Sequence, residues 1–172
     1  MERLLLNPDS RYPQASLSTQ NRMRDEFLCL LLPHYPDLKT NLDRVRDNVP
    51  LGMVKKSMYF VATRQHLESE SNIGRSVMNL GEASEILKFV AHILQEGYEQ
   101  GRITVLAMYD GQVALIKGKL KQAGHQEIRC CTVDRYQGDE NQIVIVSLVR
   151  SNTSHEAFNK KMFKPFLVFH TG

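Results

Sequence analysis

The chain has 172 residues, 42% of them hydrophobic, and a formal net charge of +3; at roughly 100–200 residues per domain this fits one domain with a real core. So mild a charge permits nucleic-acid binding without arguing for it, and the Lys and Arg residues are scattered over a solvated surface rather than blocked. Three cysteines (Cys29, Cys130, Cys131), two of them adjacent, make a poor disulfide framework, and the lack of a C-x-x-C with six dispersed histidines argues against a metal site within this chain.

The N-terminus MERLLLNPDS lacks the long apolar core and small-residue cleavage site of a signal peptide. No apolar run approaches the length of a membrane span. The expectation is an intracellular protein, cytoplasmic or nuclear, with no membrane partner. Ser18–Leu38 starts polar (STQNRMRDEF) and becomes a helix with an apolar face of Phe27, Leu28, Leu31 and Leu32, which Pro33 and Pro36 end. Lys39 to Lys56 and Arg64 to Met78 are polar and weakly patterned, and read as surface connections. Between them SMYFVAT, Ser57–Thr63, predicts a short strand.

Asn79–Gly97 predicts the clearest helix. Ala83, Ile86, Leu87, Val90, Ile93 and Leu94 recur at helical spacing. Asn79 and Glu82 form a capping pair in which Asn accepts an orphan N–H and Glu reaches back. Gly97 is the stop. RITVLAMY (Arg102–Tyr109), EIRCCTV (Glu127–Val133) and IVIVSLV (Ile143–Val149) predict apolar strands. Asp110–Gly124 predicts a helix with Val113, Ile116, Leu120 and Ala123 inward and lysines outward. Such strands alternating with amphipathic helices point to an α/β fold, a parallel sheet covered on both faces. Ligands then bind outside the carboxyl ends of the strands. That rule selects three loops: the one after Thr63, the one at Tyr109–Gln112 and the one at Asp134–Asn141.

Two stretches carry candidate chemistry. Asp134–Gln142 (DRYQGDENQ) is too polar for a core yet abuts a buried strand. Gly138 permits a tight turn and close approach of a ligand to the backbone. Gln137 both donates and accepts, and Glu140 is an acceptor suited to ribose hydroxyls. Composition alone favours a plain polar turn. In Ser18–Arg24, Gln20, Arg22 and Arg24 stand beside a helix start, where an arginine can fork onto phosphate or simply face solvent.

Taken in order, QNRMRDEF, NLGEASEI, ITVLAMYDGQ and TVDRYQGDENQIVIVSLVRSN resemble the second RecA-like domain of superfamily 1 RNA/DNA helicases. The likeness is to the nonsense-mediated-decay helicase and Senataxin group, and within it to large helicases with NF-X-type zinc fingers. The resemblance implies a three-layer, RecA-like domain over residues 1–152 (motifs IV to V), incomplete at the C-terminus, with 153–172 as a divergent tail. It implies that Arg22 is catalytic, reaching the ATP γ-phosphate as an arginine finger does. It assigns Gln20, Arg22, Gly138 and Glu140 to ATP, and Tyr109, Gln112, Thr132, Asp134 and Gln137 to the nucleic acid. Arg150–Asn152 complete motif V. The implied cofactor is ATP with Mg2+, the metal held by a first RecA-like domain. The implied partners are single-stranded RNA or DNA and that first domain.

Departures accompany the likeness. Asn21 replaces an aromatic or His before the motif IV arginine, and Ala107 and Met108 stand where a Thr commonly helps hold the nucleic-acid backbone. The sequence has no G-x-x-x-x-G-K-[ST] phosphate loop, since IKGKL (Ile116–Leu120) lacks its first Gly and its Ser/Thr, and no motif VI follows Asn152. The expectation is therefore half of a helicase motor, inactive alone. The alternative is a non-catalytic nucleic-acid or protein binding module derived from a helicase. An unrelated dinucleotide-binding domain is disfavoured because no G-x-G-x-x-G follows a strand. The tail, ending KPFLVFHTG, breaks register with the family; it can add an edge strand, and is read as a foreign end of a truncated gene model, alternative transcript or decayed copy.

Overall fold

The computed structural model describes residues 16–45, 57–62, 68–71, 76–150 and 165–170. The chain forms two compact units, Met1–Arg46 and Asp47–Gly172.

In the first unit β1 (Thr19–Gln20) pairs in parallel with β2 (Lys39–Thr40). Between them lie a 3-10 turn at Asp25–Phe27 and the single-turn helix α1 (Leu28–Leu31), and α2 (Leu42–Val45) follows. The predicted helix is thus cut short. Phe27 is buried, but Leu30 and Leu32 face solvent, because one helical turn buries one side and the prolines prevent a second.

The second unit is built on a five-stranded sheet. Its strands are β3 (Met58–Ala62), β6 (Ile103–Ala107), β7 (Arg129–Thr132), β8 (Ile143–Ser147) and β9 (Pro165–His170), in spatial order β3-β9-β8-β6-β7. β6, β7 and β8 are mutually parallel. β9 runs antiparallel to both its neighbours. β9 therefore does not add an edge: it lies inside the sheet, with Pro165 as its first residue, where a missing N–H is tolerated. A small hairpin, β4 (Ser69–Glu70) with β5 (Val77–Met78), occupies part of a stretch expected to be a connection.

Two helices cover one face. α3 (Leu80–Gln95) and α4 (Asp110–Gln122) set Ile86, Val90, Ile116 and Leu120 against Val105 and Ile145 of the strands. Ala123, expected inward, is exposed. Gly97 ends the first helix at φ +92°, with the Tyr98 N–H returning to the Ile93 carbonyl and the Gly97 N–H to that of Leu94, a Schellman closure.

The opposite face carries a smaller cluster: Leu106, Cys131 and Val144, packed with Tyr136 and Val146. The order of crossings explains the asymmetry. From β3 to β6 to β7 the chain steps one way across the sheet, and from β7 to β8 it steps back over β6. Right-handed connections place the returning segment on the other face. The parallel core with flanking helices is as expected, but among the described residues both long helices share one face, and the β7–β8 connection crosses the other.

Candidate functional site

In the first unit, Gln20 shapes the segment that bears Arg22. Its Oε1 accepts the backbone N–H of Arg22 at 2.9 Å and that of Met23 at 2.7 Å. Its Nε2 donates to the Thr40 hydroxyl at 2.7 Å and to the Met23 carbonyl. Gln20 thus turns the chain outward after β1, and the exposed Arg22 follows at once. Asn21 accepts from Asn41 Nδ2 at 2.9 Å, and Arg24 pairs with Glu26 at 2.8 Å.

In the second unit, strand register brings several expected residues to one edge. Ala107 aligns with Thr132 on one side and Ser147 on the other, so the segments beginning at Met108, Val133 and Leu148 emerge together. Half-buried Thr132 and exposed Asp134 lie here. Asp110 and Arg135 face each other at 3.6 Å. The Arg150 guanidinium lies 5.3 Å from the Tyr109 ring centroid, its Nε donates to the Tyr109 hydroxyl at 3.0 Å, and its Nη1 meets Glu68 at 3.0 Å. Met108 and Val133 are exposed beside them. The edge therefore offers an aromatic ring, two arginines and exposed apolar side chains, a set that suits stacked bases and phosphates.

The loop between β7 and β8 does not stay at this edge. Asp139 takes a 2.6 Å ion pair from Arg129, the first residue of β7, and Arg129 also lies over the Tyr136 ring at 5.2 Å. Asn141 Nδ2 donates to the Gly101 carbonyl at 3.0 Å and to the Thr104 hydroxyl at 2.9 Å, at the start of β6. The connection thus runs from the carboxyl end of the strands to the amino end, about 10 Å for three residue steps. The expectation that the whole loop lies at the carboxyl edge holds only for its beginning. Gln137, Gly138 and Glu140 are exposed. Gly138 has φ +93° and open space where a Cβ would stand, so a ligand can meet the backbone there.

Gln112 requires a correction. It is fully buried. Its Nε2 donates to Ser147 Oγ at 3.0 Å and to the Asn79 carbonyl at 3.3 Å, and its Oε1 accepts the Asn79 N–H at 2.8 Å. With both ends of its amide bonded inside, it presents nothing to a nucleic acid. The capping pair is also half corrected. Asn79 Oδ1 accepts the Glu82 N–H at 2.9 Å as expected, but Glu82 does not reach back. Its buried carboxylate accepts from the Ser147 hydroxyl at 2.7 Å and from the Val149 N–H at 3.1 and 3.3 Å. The spacing 82, 86, 90, 93 already puts Glu82 on the apolar stripe, and that signal could have found it.

Cys130 and Cys131 are buried, and burial pushes the Cys130 thiol up to about 12. These are inert side chains of the core. Among the described residues no helix is long and apolar enough to cross a membrane, and no cluster of three or more His, Cys, Asp or Glu is placed to hold a metal ion. Ser151, Asn152, the loop after Thr63 and most of the tail lie outside the described residues.

Residues 1–163 match the family model described as AAA domain. The chain is 34% identical over 141 residues to the NFX1-type zinc finger-containing protein 1 of Mus musculus, covering 81% of this chain and 7% of that protein. It is 34% identical over 160 residues to the helicase required for RNAi-mediated heterochromatin assembly 1 of Schizosaccharomyces pombe, covering 90% of this chain and 15% of that one. It is 32% identical over 115 residues to the regulator of nonsense transcripts 1 homolog of Drosophila melanogaster, covering 63% of this chain and 10% of that one. The chain thus spans a small part of each relative. With its parallel sheet, its flanking helices and a family match running through every motif from Gln20 to Arg150, the chain belongs to this AAA domain family and is a helicase-family domain of the group its motifs resemble.

Proposed function

We propose that this chain is the second RecA-like lobe of an ATP-dependent helicase motor acting on single-stranded RNA or DNA. One observation carries the reading. The β7–β8 loop begins beside Tyr109 and Arg150 and is pinned by Asp139 and Asn141 near the opposite end of the strands. A segment that reaches from one edge of the sheet to the other touches both, the arrangement that supports a motor reading in which nucleotide and nucleic acid occupy different edges. Thr132, Asp134 and Tyr109 sit at the nucleic-acid end, with Gln137 farther along the loop.

The residues present fit a nucleotide in part. In the second unit Gly138 leaves its backbone open and Glu140, suited to ribose hydroxyls, is exposed; in the first unit, taken by itself, Arg22 is exposed. When bound to the paired lobes, ATP with Mg2+ supplies the phosphoryl group and the metal charge. The first RecA-like domain would hold the metal, and Arg22 would stabilise charge on the γ-phosphate oxygens. Gln20 acts through Arg22 by holding its backbone.

The test mixes this chain with the first RecA-like domain of such a helicase and follows ATP hydrolysis with and without single-stranded RNA. Turnover is expected only in the mixture, stimulated by RNA, and lowered about a thousandfold or more by Arg22→Ala. Equal rates for the mixture and for the first domain alone would remove the reading.

A further inference from the structure

Val149 is the one non-glycine residue with positive φ among those described, at +68°. It is β-branched and almost fully buried, the residue type least suited to that region of backbone space. The Arg150 N–H donates to the Leu148 carbonyl at 2.7 Å. A bond spanning two residues around a centre of positive φ is a γ-turn of the rare, strained hand. Such a turn persists only where its surroundings over-determine it.

The surroundings here can be named. The Val149 N–H donates to both oxygens of the buried Glu82 carboxylate, at 3.1 and 3.3 Å. The Val149 carbonyl accepts from Asn79 Nδ2 at 3.2 Å. Glu82 is steadied by the Ser147 hydroxyl, which in turn accepts from Gln112. Both peptide groups of Val149 are therefore gripped from the N-cap and first turn of α3. Reversal of the chain at Val149 sends Arg150 back over the edge, where its side chain stacks on Tyr109 and pairs with Glu68.

We infer that Glu82 is a positioning residue: its carboxylate holds Val149 in the left-handed turn and thereby sets the Arg150 guanidinium against Tyr109 as a preformed phosphate contact for single-stranded nucleic acid. The phosphate part rests on the proposed motor function; the positioning part does not. A guanidinium stacked on a ring loses less side-chain freedom on meeting phosphate than one that swings in solvent, so the turn favours binding through preorganisation.

Two measurements on the full chain test this. The first is amide hydrogen exchange. In the unaltered protein the Val149 amide is expected to be as protected as the β8 amides, and Glu82→Gln is expected to accelerate exchange over Leu148–Ser151 while β6 and α4 keep their protection. A Val149 amide that exchanges like an exposed loop in the unaltered protein, or a Leu148–Ser151 segment indifferent to Glu82→Gln, overturns the inference. The second is RNA filter binding at several salt concentrations. Glu82→Gln and Arg150→Ala are each expected to lower affinity about tenfold, the scale of one charge-assisted hydrogen bond. Each should reduce the salt slope by about 0.7, one phosphate on a single strand. The double variant should lose no more than either alone. Additive losses make Glu82 a structural residue only and overturn its link to Arg150. If the unaltered chain retains no RNA while the exchange result stands, the motor reading falls and Glu82 still positions Arg150.

Discussion

Gln20 Oε1 accepts the backbone N–H of Arg22 at 2.9 Å. The side chain that the resemblance assigns to nucleotide bends the backbone that carries the candidate finger. Gln20→Ala removes that acceptor and the link to Thr40 across the β1–β2 pair. ATP turnover in the two-domain mixture is expected to fall about tenfold, less than for Arg22→Ala. The thermal midpoint should drop by only a few degrees, since net hydrogen bonds contribute about 1 kcal/mol each. Steady-state kinetics with a melting curve on the same sample checks both.

Arg129 and Asp139 pin the far part of the β7–β8 loop at 2.6 Å. Both side chains are largely exposed, so the pair contributes little to global stability. Its effect is local. Trypsin cleavage after Arg135 is expected to accelerate in Arg129→Asp and in Asp139→Arg, and to return toward the original rate in the double exchange. Equal cleavage rates in all four proteins would show that the pair does not hold the loop.

The Cys130 thiol, pushed up to about 12 by burial, stays protonated in the folded state across the ordinary range. Cys29 is exposed. At pH 8 an alkylating reagent is expected to label Cys29 first and to reach Cys130 only on unfolding, read by mass spectrometry of peptides. The linkage has a definite sign. The folded thiol binds its proton more tightly than the unfolded one, so its contribution is complete below pH 9. It is lost as pH rises from about 9 toward 12. Urea midpoints should decline over that interval, and Cys130→Ala should flatten the decline.

Gly111 opens α4 directly beneath the β4–β5 hairpin. A Cβ there would stand 2.7 Å from Ser71 Cβ and 2.9 Å from its hydroxyl, while the Gly111 N–H donates to Ser76 Oγ at 2.9 Å. Gly111→Ala is expected to cost about 1–3 kcal/mol by overpacking, despite alanine's better helix propensity. Because Glu68 leads into this hairpin and pairs with Arg150, the same substitution should also weaken RNA binding. Urea denaturation and filter binding read the two effects.

Much of the second unit was legible in its residues. The stripe Ile86–Val90–Ile93 repeats at the helical period and faces one way, so it announces α3 without reference to anything else. Ile103–Ala107 and Ile143–Ser147 are apolar on both faces, the signature of interior strands. Gly97 and Gly138 have the positive φ their positions suggested. Gln112 is assigned to the nucleic acid by the family resemblance alone, and its own neighbours in sequence say nothing of its burial. Only its partners Asn79 and Ser147, 33 and 35 residues away along the chain, make its burial tolerable.

Local periodicity and motif order, which depend on neighbours within a turn or a strand, were enough to place the two long helices, the parallel strands and the family. Contacts between distant segments settled the rest. Strand order sent the β7–β8 loop across the sheet, β9 entered between β3 and β8, and α3 brought the Glu82 carboxylate to Val149. Spacing turns Glu82 toward the core without naming its partner, and it carries no mark of strand order, because a buried hydrogen bond or a sheet neighbour is chosen by which segments meet in space, and that choice is made only when the whole unit closes on its core.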